Sequence, residues 1–264
     1  MTFHIVVCAG IVPDPLQTLE PAPGPSLKNE MMLPAVLDPW AAHALYEAAR
    51  LAKDDAGSKV WLVSLSPRAK LQQVMMTIAQ KAPFELVALD GPSSGFTDSA
   101  EVAAALAAAI EAIAGLDRSR LLLFGGWESA SRGAGSTLPM IGERLGILDQ
   151  FQGVDEVRLE PDGAFTVLER VEGGRHQRSR CAGPPALMGW ATGSLAEPPN
   201  QPQVGMMNMR AVLPALQRAK PVPLTAEGLT FSRVSLPTQQ RQTRIVKDLP
   251  ADQIAREIVE WIRG

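Results

Sequence analysis

The sequence predicts an α/β protein: a three-layer, Rossmann-like domain around a mostly parallel sheet, with a hairpin extension and an extended C-terminal arm ending in a helix. Three observations carry that expectation. Short apolar runs alternate with helical segments of about ten to seventeen residues, the pattern of βαβ units. Asp38-Pro39 and Ser66-Pro67 pair a capping residue with a proline, the sign of a helix start. After Gly146 the texture changes to alternating strands joined by Pro161-Asp162-Gly163, a hairpin signal.

The elements follow in order. Phe3 to Cys8 is a β-branched run, read as the first strand. Ile11 to Pro34 is proline-rich and irregular. Asp38 opens a helix to about Lys53, Val60 to Leu65 is the second strand, and Ser66-Pro67 opens a helix to about Lys81. Glu85 to Leu89 is the third strand, and Asp98 opens an alanine-rich helix to about Ala114. Arg120 to Phe124 is the fourth strand and runs into Gly125-Gly126. Val154 to Leu159 and Ala164 to Arg170 form the hairpin, Glu172-Gly173-Gly174 is a second turn, and Pro185 to Trp190 is a buried strand. Glu197 to Met209 is too rich in Pro, Gly, Asn and Gln to predict a core element. An extended tail runs through Gln239-Gln240-Arg241, and Pro250 starts an amphipathic helix with Ile254, Ile258, Val259 and Ile262 on one stripe. Residues 1–223 are expected to form the α/β domain, and 224–264 the arm. So long a tail is unusual inside a compact domain and either lies on a partner or wraps its own domain.

Composition narrows the function. A net charge of −3 gives no pull toward nucleic acid, and an aromatic content of 5% makes base-stacking platforms improbable. Cys8 and Cys181 supply neither a disulfide framework nor a metal set, which fits a reducing compartment. His4, His43 and His176 show no metal spacing, and Arg175, Arg178 and Arg180 read as a solvated strand face. No apolar stretch approaches the ~20 residues that span a bilayer, and no signal peptide is evident. The expectation is a soluble, cytoplasmic protein without direct membrane insertion. No Ser/His/Asp or Cys/His set is present, so no catalytic residue is assigned and a binder or carrier is expected rather than a catalyst.

The exit of the fourth strand is the candidate site. Gly126 ends the strand, and Ser131-Arg132-Gly133-Ala134-Gly135-Ser136-Thr137 is a small-residue loop that feeds a helix to about Leu145. Such a loop offers free N–H groups and a positive helix end, Ser136 or Thr137 caps or binds phosphate oxygens, and Arg132 adds a charge-assisted contact. Loops after the first, second and fourth strands converge on one nucleotide in such a sheet. The loop lacks a P-loop lysine and the third glycine of a dinucleotide fingerprint, with Leu138 in its place. On the residues alone, phosphate binding and a flexible turn both stay open. A second candidate is Leu213 to Pro223, read as one short exposed turn with two basic residues, Arg218 and Lys220, before paired prolines. A leucine presented there suits docking onto another protein.

Six motifs in order resemble the β subunit of electron-transfer flavoproteins. Ile5 to Asp14, IVVCAGIVPD, resembles its first strand and Val-Pro-Asp loop. Asp38 to Leu51 resembles its Asn-Pro-aromatic helix, and Val63-Ser64-Leu65-Ser66 its following turn. Gly126 to Gly146 resembles its phosphate loop and helix. Val171 to Gly174 with Pro185 to Met188 resembles its hairpin and next strand, and Leu213 to Pro223 its recognition loop. The resemblance implies a subunit that pairs with an α subunit carrying a redox FAD, and that itself holds AMP. It implies electron carriage from a flavoprotein dehydrogenase donor to a membrane quinone reductase. Carried over by position, the nucleotide touches Cys8, Asp38, Ser64, Leu65, Ser66, Gly126 and residues 131 to 137. Leu213, Pro214, Arg218 and Lys220, within a recognition loop of about residues 195–223, dock the donor. A bifurcating relative with a second FAD and NADH is an alternative, as is a stand-alone adenine-nucleotide module or enzyme. The chain departs from the family pattern at Gly10, where a lysine is usual, and at Glu169-Arg170, where the order is reversed.

Overall fold

A computed structural model describes residues 2–55, 57–225, 228–238 and 245–263. Nine strands form one sheet: β1 His4–Cys8, β2 Lys59–Ser66, β3 Glu85–Asp90, β4 Leu121–Gly126, β5 Asp149–Leu159, β6 Phe165–Val171, β7 Arg175–Cys181, β8 Ala186–Trp190 and β9 Lys220–Pro221. Their spatial order is β7-β6-β5-β8-β4-β1-β2-β3-β9. All pairings are parallel except those of β6 with β5 and β7, which build the hairpin end. From β1 the chain winds outward through β2 and β3, then returns to lay β4 on the other side of β1. The loops after β1 and β4 therefore part in opposite directions, which opens a crevice at their carboxyl ends.

Strand alternation sorts the central sheet into two buried faces. Ile5, Val7, Leu122, Phe124 and Met188 pack under α1 (Pro39–Asp54), α2 (Arg68–Ile78) and α5 (Pro202–Gln217). Val6, Val63, Leu123 and Leu187 pack under α3 (Ser99–Glu111) and α4 (Thr137–Arg144). Helices on both faces make the third layer and explain why these strands read as continuous apolar runs. In α1, Ala41, Ala44, Leu45, Ala48 and Leu51 recur at helical spacing and all are buried. Burying Leu45 alone contributes about 1.5–3 kcal/mol. The hairpin turn is held by Asp162, whose Oδ1 accepts from Ala164 N at 3.1 Å.

Two expectations are corrected. Ser66 does not open a helix: it is the buried last residue of β2, and the helix after Pro67 has no side-chain cap from it. The Arg68 N–H instead finds the Asp90 carboxylate at the end of β3, 3.0 Å away. Nor is Glu197 to Met209 a loop ahead of a short turn at Leu213. Pro202 to Gln217 is one helix, α5, with Leu213 and Pro214 inside it. The loop-forming residues serve helix packing. Gly205 lies so close to α2 that an added Cβ would meet Gln80 Cγ at 2.6 Å. Asn208 Nδ2 donates to the carbonyls of Ala79 and Ala82, at 2.7 and 2.9 Å, just past the end of α2. Val212 and Leu216 are buried beneath.

The chain divides into two units, residues 1–234 and 235–264. Residues 224, 225 and 228–234 thus belong with the sheet domain. The second unit carries α6, Ala251–Arg263, in which no residue is buried and Ile258, Val259, Trp261 and Ile262 are exposed. The tail residues Gln239, Gln240 and Arg241 lie outside the described residues.

Candidate nucleotide cleft

The crevice at the switch point is a cleft of about 140 Å³. Cys8 to Gly10 after β1, Leu65 on β2, Ser93 to Gly95 after β3, and Gly126 with Glu128 to Arg132 after β4 bring four strand ends to it. Thr137 adds the first residue of α4.

Asp38 organises the floor. One carboxylate oxygen accepts from Trp40 N at 3.1 Å and caps α1; the other accepts from Ala130 N at 2.9 Å and holds the loop after β4. Its own N–H donates to the Gly10 carbonyl at 2.9 Å, so this residue ties the β1 and β4 loops together. Burial pushes its carboxyl above the usual range, against the opposing pull of the N–H donors, Ala130 first. Gly126 is demanded by the close approach of α1: an added Cβ would meet Trp40 Cβ at 2.6 Å and the Glu128 carbonyl oxygen at 2.8 Å. Gly135 has φ +60° and no room, because the Trp127 carbonyl oxygen would lie 2.4 Å from its Cβ. These two glycines are steric requirements of the loop rather than flexible links.

The loop itself is a hydrogen-bonded turn. Ser129 and Ser131 share a hydroxyl contact at 2.8 Å, and the Gly133 N–H donates to the Ser129 carbonyl at 2.7 Å. Arg132 Nη2 donates to Ser99 Oγ at 2.9 Å across the cleft mouth. Glu128 places a carboxylate on the same wall, suited to a sugar hydroxyl and unfavourable beside a phosphate.

Of the predicted nucleotide residues, the structure brings Cys8, Asp38, Leu65, Gly126, Ser131, Arg132 and Thr137 to the cleft. Ser64 and Ser66 are buried in β2, and the Ser64 hydroxyl donates to the Ala9 carbonyl at 2.8 Å rather than facing the cleft. Gly133, Ala134, Gly135 and Ser136 shape the loop without lining the space. Ser136 precedes α4 without a side-chain cap bond. Burial pushes the Cys8 thiol up to about 12, which disfavours its thiolate. Sequence reasoning missed the wall after β3, Ser93 to Gly95. The small-residue run Gly91-Pro-Ser-Ser-Gly95 at a parallel-strand exit was the available signal.

Elsewhere the reversed pair on the hairpin is fully engaged. Glu169 accepts from Gln152 N and the Ser179 hydroxyl, while Arg170 forms a two-pronged pair with Asp155 at 2.9 and 3.1 Å. The docking candidates are all exposed: Leu213 and Pro214 on α5, Arg218 just past its end and Lys220 on β9. Leu213, Met206 and Met76 line one apolar groove between α5 and α2. Among the described residues no His, Cys, Asp and Glu group is placed to hold a metal, and no helix is long and apolar enough to cross a membrane.

Fold and cleft together define the class: a doubly wound α/β domain with a small polar cleft at its topological switch point. The family model described as "Electron transfer flavoprotein domain" matches residues 29–223, more than half of the chain, and the chain belongs to that family. No curated protein matches the chain.

Proposed function

We propose that the chain is the β-type subunit of a heterodimeric electron-transfer flavoprotein, working in the cytoplasm. It would carry electrons from a flavoprotein dehydrogenase to a respiratory quinone reductase. The observation that supports this best is the family match, which covers β2 to β9 and the cleft walls after β3 and β4, while β1 and its loop lie before it. It would act as a carrier subunit rather than an enzyme, as the family match suggests.

The cleft fits a mononucleotide such as AMP. Its volume is on the scale of a cavity that takes one aromatic ring, with the remainder of a nucleotide toward the open mouth. Arg132 and Thr137 would face the phosphate, with the α4 N-terminus behind them. Glu128 would accept from a ribose hydroxyl. Asp38, with both oxygens engaged, would act by holding the Ala130 loop in place. The redox FAD would be held mainly by the α subunit and supplies the one- and two-electron chemistry. This chain would contribute scaffold, nucleotide and docking surfaces. The apolar groove at Leu213 and Met206 suits a flavoprotein dehydrogenase, since buried apolar anchors dominate such contacts. The unburied stripe of α6 suits the α subunit.

The test is to co-express the chain with its candidate α subunit, denature the purified complex and weigh the released nucleotides. One FAD with AMP is the expected result. Two FAD would replace this reading with the bifurcating one. FAD alone would make the cleft a scaffold only. A stable, flavin-free monomer that turns over ATP would establish a stand-alone enzyme instead.

A further inference from the structure

We propose that Phe231 is a positioning residue for Arg132, and that the strap around it, residues 228–234, closes in concert with the binding of a phosphate-bearing nucleotide. This rests on the reading of the cleft as a nucleotide site. The strap follows β9 and runs past the cleft mouth on a short set of contacts. Leu229 N donates to Asp98 Oδ2 at 2.8 Å, from the residue that starts α3. Phe231 stands edge-on to Phe96, with ring centroids 5.9 Å apart and planes at 72°. Val234 N donates to the Gly24 carbonyl at 3.2 Å. Leu229 is 80% exposed and Phe231 37% exposed, so neither anchors in the core. A segment whose described side chains stay this exposed opens at low cost.

Arg132 joins strap and cleft. It lines the cleft, its guanidinium carbon lies 5.5 Å from the centre of the Phe231 ring, and Nη2 donates to Ser99 Oγ. A guanidinium has five N–H donors around its edge and two flat faces. Phe231 turns its ring to the guanidinium, and Ser99 takes from one edge nitrogen. An anion in the cleft would take from donors that Ser99 leaves free, so ring and anion can meet one group together. The two contacts therefore reinforce each other. A phosphate that orders the guanidinium holds it beside Phe231, and a docked Phe231 orients the donors toward the phosphate. Linkage requires the effect to be reciprocal.

The test uses the full chain in the complex in which it purifies, stripped of nucleotide and then titrated with AMP or adenosine. Amide hydrogen exchange is followed at residues 228–234. AMP is expected to slow exchange there, and adenosine, which lacks the phosphate, to leave it unchanged. Phe231→Ala is expected to weaken AMP about fivefold without changing adenosine binding, and Phe231→Tyr, which keeps the ring, to restore it. AMP binding with unchanged strap exchange would overturn the inference alone. So would equal slowing by adenosine, or wild-type AMP affinity in Phe231→Ala. No AMP binding by the wild type would bring down the nucleotide reading, and this inference with it.

Discussion

Asp38 and Asp98 do the same local job on opposite faces of one sheet and end with different fates. Each precedes a helix, and each caps it with one carboxylate oxygen, through Trp40 N and Ala100 N. Each then uses the other oxygen to hold a distant segment beside the cleft, Ala130 for Asp38 and Leu229 for Asp98. Asp38 is buried, and desolvation raises its carboxyl. Asp98 stays near solvent, and the N–H donors of Ala100 and then Leu229 lower its carboxyl. The same motif thus makes a buried brace in one place and a solvent-facing tether in the other. The environment of the second oxygen decides which.

The largest expected effect breaks the brace without touching Asp38. Gly126→Ala drives a Cβ into the Glu128 carbonyl and the start of α1, and we expect a loss of about 3 kcal/mol in denaturant unfolding. A variant as stable as wild type would show the loop to be far softer than its contacts imply. Next comes Asp38→Ala, which removes the cap and leaves the Ala130 N–H without its acceptor, for a loss of about 2 kcal/mol. The counterpart, Asp98→Ala, is expected to leave more of the global stability intact while speeding amide exchange at Leu229 and its neighbours. Equal losses from the two substitutions would erase the distinction between brace and tether.

A pH titration sharpens the same comparison. Asp98 has a lowered carboxyl in the folded state. Its contribution is therefore present above the ordinary carboxylate range and is lost as pH falls through the folded value. Asp38 has a raised one, so its contribution is full below its unfolded value and declines as pH rises through the folded value. Stability should therefore fall on acidification through the folded value of Asp98, and Asp98→Ala should flatten that acid limb while Asp38→Ala should not, read by denaturant unfolding at a series of pH values. An acid limb unchanged in Asp98→Ala would remove the assignment. The smallest effect on stability is expected at Leu213, exposed on α5. Leu213→Ala should change unfolding free energy by no more than about 0.5 kcal/mol while slowing reduction by the donor dehydrogenase at unchanged FAD content. Normal donor kinetics would remove the groove from the docking role.

The difference between local and distant causes separates what the sequence by itself determined from what the tertiary structure decided. Short continuous apolar runs, Asp38-Pro39, Asp98 and the Pro161-Asp162-Gly163 turn act over a few residues. They sufficed for the parallel sheet, both capped helices, the hairpin and the position of the loop from Gly126 to Thr137. Gly205 and Asn208 read as loop formers because nothing near them in the chain shows Gln80 or the carbonyls of Ala79 and Ala82. Only packing against α2 makes them helix residues. Ser66 lost its expected cap role because Asp90, on a neighbouring strand, takes the Arg68 N–H. The wall at Ser93 to Gly95 and the contact of Phe231 with Arg132 depend on which strand ends and which returning segment meet at the switch point. Local hydrogen bonds and periodicity are encoded in neighbouring residues. Which loop the second oxygen of a capping aspartate reaches is set by the route of the whole chain.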